Sequence, residues 1–145
     1  MPLAPPWTLT TEEWLDHIYI DMSRRREHAL TSHLATLLQH LLKWAYQPQG
    51  QSWGHSWVDS IRAARTDAQA LLARYPHLRT RQEAAYARAY PRACRQAARE
   101  TGLPLATFPE ACPWTPEQVL DEAFWPQAPE TQSGHPPRRQ IDFSA

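Results

Sequence analysis

Residues 30–45 read LTSHLATLLQHLLKWA. Leu30, Leu34, Leu37, Leu38, Leu41, Leu42 and Ala45 recur at spacings of three and four. That period lays apolar side chains along one stripe of an α-helix. A half-buried strand needs alternation at two, and no segment of the chain shows it. Asn-Gly and Asp-Gly hairpin signals are also missing. The expectation is an all-α protein, with Pro48 and Gly50 ending this helix.

Upstream, Thr10-Thr11-Glu12-Glu13 has the form of a capping box that opens a first helix. Leu9 and Trp14 occupy the two staple positions, and Leu15, Ile18 and Met22 form an apolar stripe. Ser23 either separates this helix from the leucine-rich one or is passed through. A third helix is expected from near Ser52, with Trp53, Trp57, Ile61, Ala64, Ala68, Leu71, Leu72 and Tyr75 facing inward and Pro76 ending it. A fourth is expected from Thr80, with Glu83 completing a second box. Tyr86, Ala89, Tyr90, Ala93, Cys94 and Ala97 form its inner face, Pro91 is expected to kink it, and Gly102 suits its left-handed cap.

Residues 101–126, TGLPLATFPEACPWTPEQVLDEAFWP, alternate prolines with large apolar groups. Such a composition is costly in water unless it is packed onto something. Thr115, Pro116 and Gln118 mark a short fifth helix with its own capping box, and Trp114 with Val119 forms a staple. The expected architecture is therefore a single-domain bundle. Four main helices and a short C-terminal helix are followed by a docked proline-rich strap. Residues 1–9 form a Pro-rich leader, 10–126 the helical domain, and 127–145 a disordered polar tail.

At 145 residues the chain is long enough to bury one core without disulfide or metal staples. Its two cysteines, Cys94 and Cys112, are too few for a disulfide framework. No run reaches the length of a membrane helix, and the N-terminus lacks the pattern of a signal peptide. A soluble cytoplasmic protein without membrane contact is expected. Arginines number 14 against the single Lys43, a bias that reads as GC-rich coding. The net charge of zero hides an asymmetry: residues 1–22 carry −4, residues 23–99 carry +9, and residues 100–130 carry −6. A basic middle is flanked by acidic ends.

The stretches HLLKWAYQP and AARETGLPLATFPEACPWTPEQVLDEAFWP, with a tryptophan-led helix between them, resemble the bacterial family catalogued as Domain of Unknown Function 29. The resemblance spans about residues 15–126. His40, Lys43, Trp44, Gly102, Pro104, Phe108, Pro109, Cys112, Pro113, Trp114, Asp121 and Glu122 carry its structural signature. It implies an all-helical fold and no established activity, so it supplies no catalytic residue. Relatives usually have a further N-terminal helix, and tend to have Gly where this chain has Ser23. Only the Pro-rich leader stands in that place here, which would leave an apolar strip for another copy or a partner to cover.

Candidate sites follow from residue types. His33 and His40 share a helical stripe but lie seven apart, whereas zinc pairs on one helix use i, i+4. No metal and no cofactor are expected. Cys94 has no local catalytic signature, and Cys112 has no basic neighbour to lower its pKa. Glu117 and Asp121 share a face, but Glu117 also suits a helix start, and these acids are expected to pair with the basic middle. Arg81, Arg88, Arg92, Arg95 and Arg99 fall on one face of the fourth helix, a row able to track phosphates; Arg62 and Arg65 add a smaller group. Of the seven tryptophans, packing accounts for all but one or two, and Trp7 is the candidate contact residue. The leading expectation is a non-enzymatic module that binds a protein, including its own copy. Nucleic-acid binding through the arginine row is second, and an enzyme with an unrecognised site is third.

Overall fold

The computed structural model describes residues 10–47 and 56–127. Among these the protein is all-α, with four α-helices and no strand. The leader with Trp7 and Leu9, the segment holding Pro48, Gly50, Ser52 and Trp53, and the polar stretch beyond Gln127 lie outside the described residues.

Helix α1 spans Thr11–Tyr46. Its capping box forms: Thr10 Oγ1 accepts from the Glu13 amide at 3.1 Å, and Glu13 Oε1 accepts from the Thr10 amide. The helix runs through Ser23 without a break, so the first two expected helices are one element of 36 residues, roughly 54 Å long at the α-helical rise. The long helices of the described residues are accordingly three. Ser or Gly at one position does not end a helix while the i→i−4 ladder continues on both sides.

Helix α2 spans Ser56–Arg74 and buries Ile61, Ala64, Ala68 and Leu72. Tyr75 leaves the helical region before Pro76, with φ −126° and ψ 76°, as the proline ring disfavours a helical predecessor. A 3₁₀ turn, Pro76–Arg81, then feeds directly into helix α3, Gln82–Thr101. The expected box at Thr80 and Glu83 does not form. The turn already occupies the backbone there, and Thr80 Oγ1 donates instead to the His77 carbonyl at 2.8 Å. α3 continues through Pro91 and ends at Gly102, whose φ of 78° is left-handed and whose amide closes on Ala98 O.

The core is the leucine stripe of α1 packed against the inner faces of α2 and α3. Leu30, Leu34, Leu37, Leu38, Leu41, Leu42, Tyr86, Tyr90 and Ala97 are all buried in it. α3 meets α1 with small residues: Ala89, Ala93 and Ala97 are almost wholly inaccessible, which lets the two helix backbones approach closely.

The strap then crosses all three long helices. Tyr86 and Tyr90, one turn apart on α3, each donate a hydroxyl to a strap carbonyl, Trp114 O and Pro109 O, both at 2.6 Å. Phe108 meets Tyr46 of α1 edge-on at 5.3 Å, and Trp125 lies against Trp44 at 4.9 Å between ring centroids. Helix α4, Pro116–Leu120, starts with Thr115 as cap and Pro116 in the first turn, and its box with Gln118 forms as expected. Trp114, just before it, and Val119, within it, are both buried.

Candidate functional site

Three surface features and one buried one bear on function.

The buried feature is Arg65. Sequence reading placed it with Arg62 in a smaller basic group; Arg62 is exposed, but Arg65 is only 1% exposed. Its Nε donates to Val119 O at 2.8 Å, and its two terminal nitrogens reach Phe124 O and Glu122 O. Gln69, one turn further along α2, donates to Leu120 O. These are the carbonyls at and beyond the C-terminal end of α4, which its own ladder cannot satisfy. Burial lowers the Arg65 pKa, while the charges of Asp121 and Glu122 raise it. The acidic strap therefore does meet the basic middle, through backbone oxygens. The Asp121 and Glu122 side chains stay exposed. Trp125 lies 5.3 Å from the guanidinium carbon.

The second feature is the first half of α1. Residues 11–22 are exposed apart from the half-buried Ile18, and the core begins only at Leu30. Trp14, Leu15, Tyr19, Ile20 and Met22 are 39–64% exposed. The helix thus projects an arm carrying large apolar groups that nothing in the described fold covers. Trp14, whose expected staple partner Leu9 lies outside the described residues, is stacked on His17. At the base of the arm, Arg26 sits 3.9 Å above the Tyr75 ring, and Glu27 pairs with Arg81 at 3.5 Å.

The third feature is the arginine row. Arg81, Arg88, Arg92, Arg95 and Arg99 are all exposed. Arg81 pairs with Glu27, and Arg92 Nη1 reaches Ser32 Oγ at 3.5 Å. Arg88, Arg95 and Arg99 have no carboxylate partner among the described residues. The acidic ends of the chain do not neutralise the row within the described fold.

The fourth is an apolar groove of about 740 Å³ between α3 and the strap, lined by Tyr90, Pro91, Cys94, Leu105, Phe108 and Pro109. Both thiols belong to the packing of this edge. Burial raises the pKa of Cys94 and of Cys112, and Cys112 Sγ lies 2.9 Å from the Tyr86 hydroxyl. Burial likewise raises Tyr86 and Tyr90 far above the usual phenol value. Raised thiol and phenol values oppose nucleophilic use.

Candidate catalytic groups are dispersed. Cys94 lines the apolar groove, Glu117 and Asp121 line a separate cleft with Arg79 and Glu83, and His40 lines neither. His40 Nδ1 lies 2.8 Å from Thr36 O, and burial lowers its pKa. Beside it, Lys43 is buried and pairs with Glu100 at 2.6 Å. No group of three or more His, Cys, Asp or Glu among the described residues is placed to hold a metal ion. Among the described residues no helix is long and apolar enough to cross a membrane.

The remaining signature residues sit where the strap turns. Pro104 precedes a 3₁₀ turn at Leu105–Thr107, Pro109 offers its carbonyl to Tyr90, and Pro113 leads into the buried Trp114. Asp121 caps the end of α4, and its Oδ1 accepts from the Ala123 amide at 2.9 Å. Sequence reasoning missed the role of Arg65. Its one available signal was an arginine at the i+4 step after Ile61 on an otherwise apolar face.

The fold and its surfaces define a helical bundle closed by a proline-rich strap. The chain belongs to the family described as Domain of unknown function DUF29, whose model matches residues 9–125. No curated protein and no solved structure matches it.

Proposed function

We propose that this chain is a non-enzymatic interaction module of the bacterial cytoplasm that self-associates through the arm of α1. The observation that carries the reading is the exposure of Trp14, Leu15, Tyr19, Ile20 and Met22 on one projecting helix. Exposed apolar groups gathered in this way favour a protein contact over solvent. Two unpaired thiols suit a reducing compartment.

Charge selects a second copy as the occupant. The arm is acidic at its start, with Glu12 and Glu13, and basic at its base, with Arg24 and Arg25. In an antiparallel pair of arms, Leu15 falls opposite Met22 and Ile18 opposite Tyr19. The same register sets Glu12 against Arg25 and Glu13 against Arg24. At these positions apolar groups meet apolar groups and Glu12 and Glu13 meet bases, while the same register sets Asp16 opposite Asp21. Arg25 gives up only its exposed pair with Asp21, which is worth little.

Sedimentation velocity at micromolar concentration tests this. A dimer is expected, and Leu15→Glu with Tyr19→Glu is expected to yield a monomer with unchanged helicity and melting of the core. A monomer in the unsubstituted chain overturns the reading.

A second reading, nucleic-acid contact through the arginine row, is favoured by the exposure of all its members. Filter binding across a salt series tests it, with Arg88→Glu and Arg95→Glu expected to abolish retention. Retention unchanged by these substitutions sinks it.

A further inference from the structure

A polar cleft of about 220 Å³ opens between α1 and α3, and Arg95 stands on its rim as well as on that of the strap groove. Ala35 of α1 and Ala93 of α3 line its depth, and both are nearly inaccessible. Their small side chains hold the two helices close, so longer neighbours rise around them as walls. One wall is Thr36 and Gln39 on α1; the other is Arg92, Arg95 and Arg99 on α3.

The charges around this cleft do not balance. Positions 92, 95 and 99 are separated by three and four residues, so the guanidiniums share a face and repel one another. One carboxylate stands at the same end of α3, that of Glu100, and it is already engaged. Its Oε1 takes Lys43 Nζ at 2.6 Å, and its Oε2 takes Gln96 Nε2 at 2.8 Å. Glu100, bonded to Lys43 and to Gln96 and Gln39 of the cleft walls, offsets Lys43 at the edge of the cleft, and the three guanidiniums lining it have no carboxylate of their own among the described residues. Everything else on the rim is a hydroxyl or a carboxamide, able to donate.

We propose that this cleft binds a phosphate-bearing anion, one or two phosphoryl groups seated between the helices and held by Arg92, Arg95 and Arg99. Guanidinium forks pair bidentately with phosphoryl oxygens, and a phosphoryl group offers more oxygens and more charge to three arginines than a carboxylate does. The volume suits a short polyphosphate or a phosphate ester. The proposal is independent of the pairing of arms, which lie at the opposite end of α1. It also differs from nucleic-acid tracking along the whole row: the cleft requires the α1 wall and makes no use of Arg81 or Arg88.

Titration calorimetry of the full chain with inorganic tripolyphosphate at low salt tests the proposal, with a duplex oligonucleotide as the second arm. Tripolyphosphate is expected to bind, with affinity falling as salt rises. Arg95→Gln and Arg99→Gln are each expected to weaken it by about tenfold or more. Thr36→Glu, which sets a carboxylate on the opposite wall, is expected to abolish binding, while Arg88→Gln leaves it unchanged. Circular dichroism of each variant confirms that the helices are kept. No binding of tripolyphosphate overturns the proposal. So does a Thr36→Glu protein that binds as well as the unsubstituted chain. Binding of the duplex alone, equally sensitive to Arg88 and Arg95, overturns it in favour of the extended row.

Discussion

Nε of Arg65 donates to the carbonyl oxygen of Val119 at 2.8 Å, across 54 positions of sequence. The contact joins the middle of α2 to the end of α4, and the same guanidinium reaches the carbonyls of Phe124 and Glu122. A buried cation without a carboxylate partner is normally unfavourable. Here it is tolerated because the helix end supplies concentrated negative dipole and several oxygens at once.

Arg65→Met keeps the apolar stem and removes the donors. The expected outcome is a loss of about 1.5–3 kcal/mol in urea melts, since charged hydrogen bonds go and buried carbonyls are left unmade. Arg65→Lys is expected to recover only part of this, because an ammonium cannot fork to three carbonyls. Full recovery by Lys would show that charge alone, without the fork, holds the strap.

Trp114→Ala tests the strap from its other side. The indole is buried, meets Phe124 edge-on at 6.0 Å, and belongs to the residue whose carbonyl accepts from Tyr86. A large core truncation of this kind costs about 3–5 kcal/mol. A shift below about 1 kcal/mol would mean that the strap is not part of the core.

Gly102→Ala isolates a backbone effect. A Cβ at Gly102 would meet nothing within 4 Å, yet its φ is 78°. The expected cost is about 1–2 kcal/mol, entirely from the left-handed conformation. Because no contact is lost, the urea m-value should stay the same.

Acid stability should fall in two windows. Burial alone would raise the Glu100 carboxyl, but Lys43 and Gln96 hold it down to about 2, below its ordinary 4.5. The folded state therefore binds this proton less readily than the unfolded state, so the stabilisation is full above pH 4.5 and is lost as pH drops toward 2. His40 is lowered from 6.5, chiefly by burial. Its neutral form is the folded one, so its contribution is lost as pH falls below that value. Glu100→Gln is expected to flatten the lower window of a melting profile against pH and, by removing a charge that raises His40, to widen the upper one, which His40→Gln is expected to flatten. An unchanged profile in Glu100→Gln would show that the Lys43 pair does not stabilise the fold.

The elements legible in the sequence were those whose causes lie within one turn. Thr10 with Glu13 and Thr115 with Gln118 are complete capping devices in four consecutive residues, and both form. Gly102 needs only its own missing side chain. Thr80 with Glu83 has the same local form and fails, because Pro76 has already started a 3₁₀ turn that removes the free helix start. Arg65 was illegible for the opposite reason. Its partners are backbone oxygens, which every residue carries, so no side-chain pattern announces them. The arginine row could be placed on one face by spacing, but its exposure depended on where the acidic strap came to rest. The polar cleft needed both Ala35 and Ala93, which meet only once the helices are packed.

The continuity of α1 gives one helix two stability classes. Amides near Leu34–Leu42 are protected by the core and should exchange with solvent only on global unfolding. Those between Leu15 and Met22 have an intact hydrogen-bond ladder but no tertiary cover, so fraying from the Thr10 end should open them far more often. Deuterium uptake would then form a gradient along a single unbroken element. If the arms pair, slowing with protein concentration should be confined to the outer turns, so the dependence of exchange on concentration would mark, residue by residue, where the monomer ends and the partner begins.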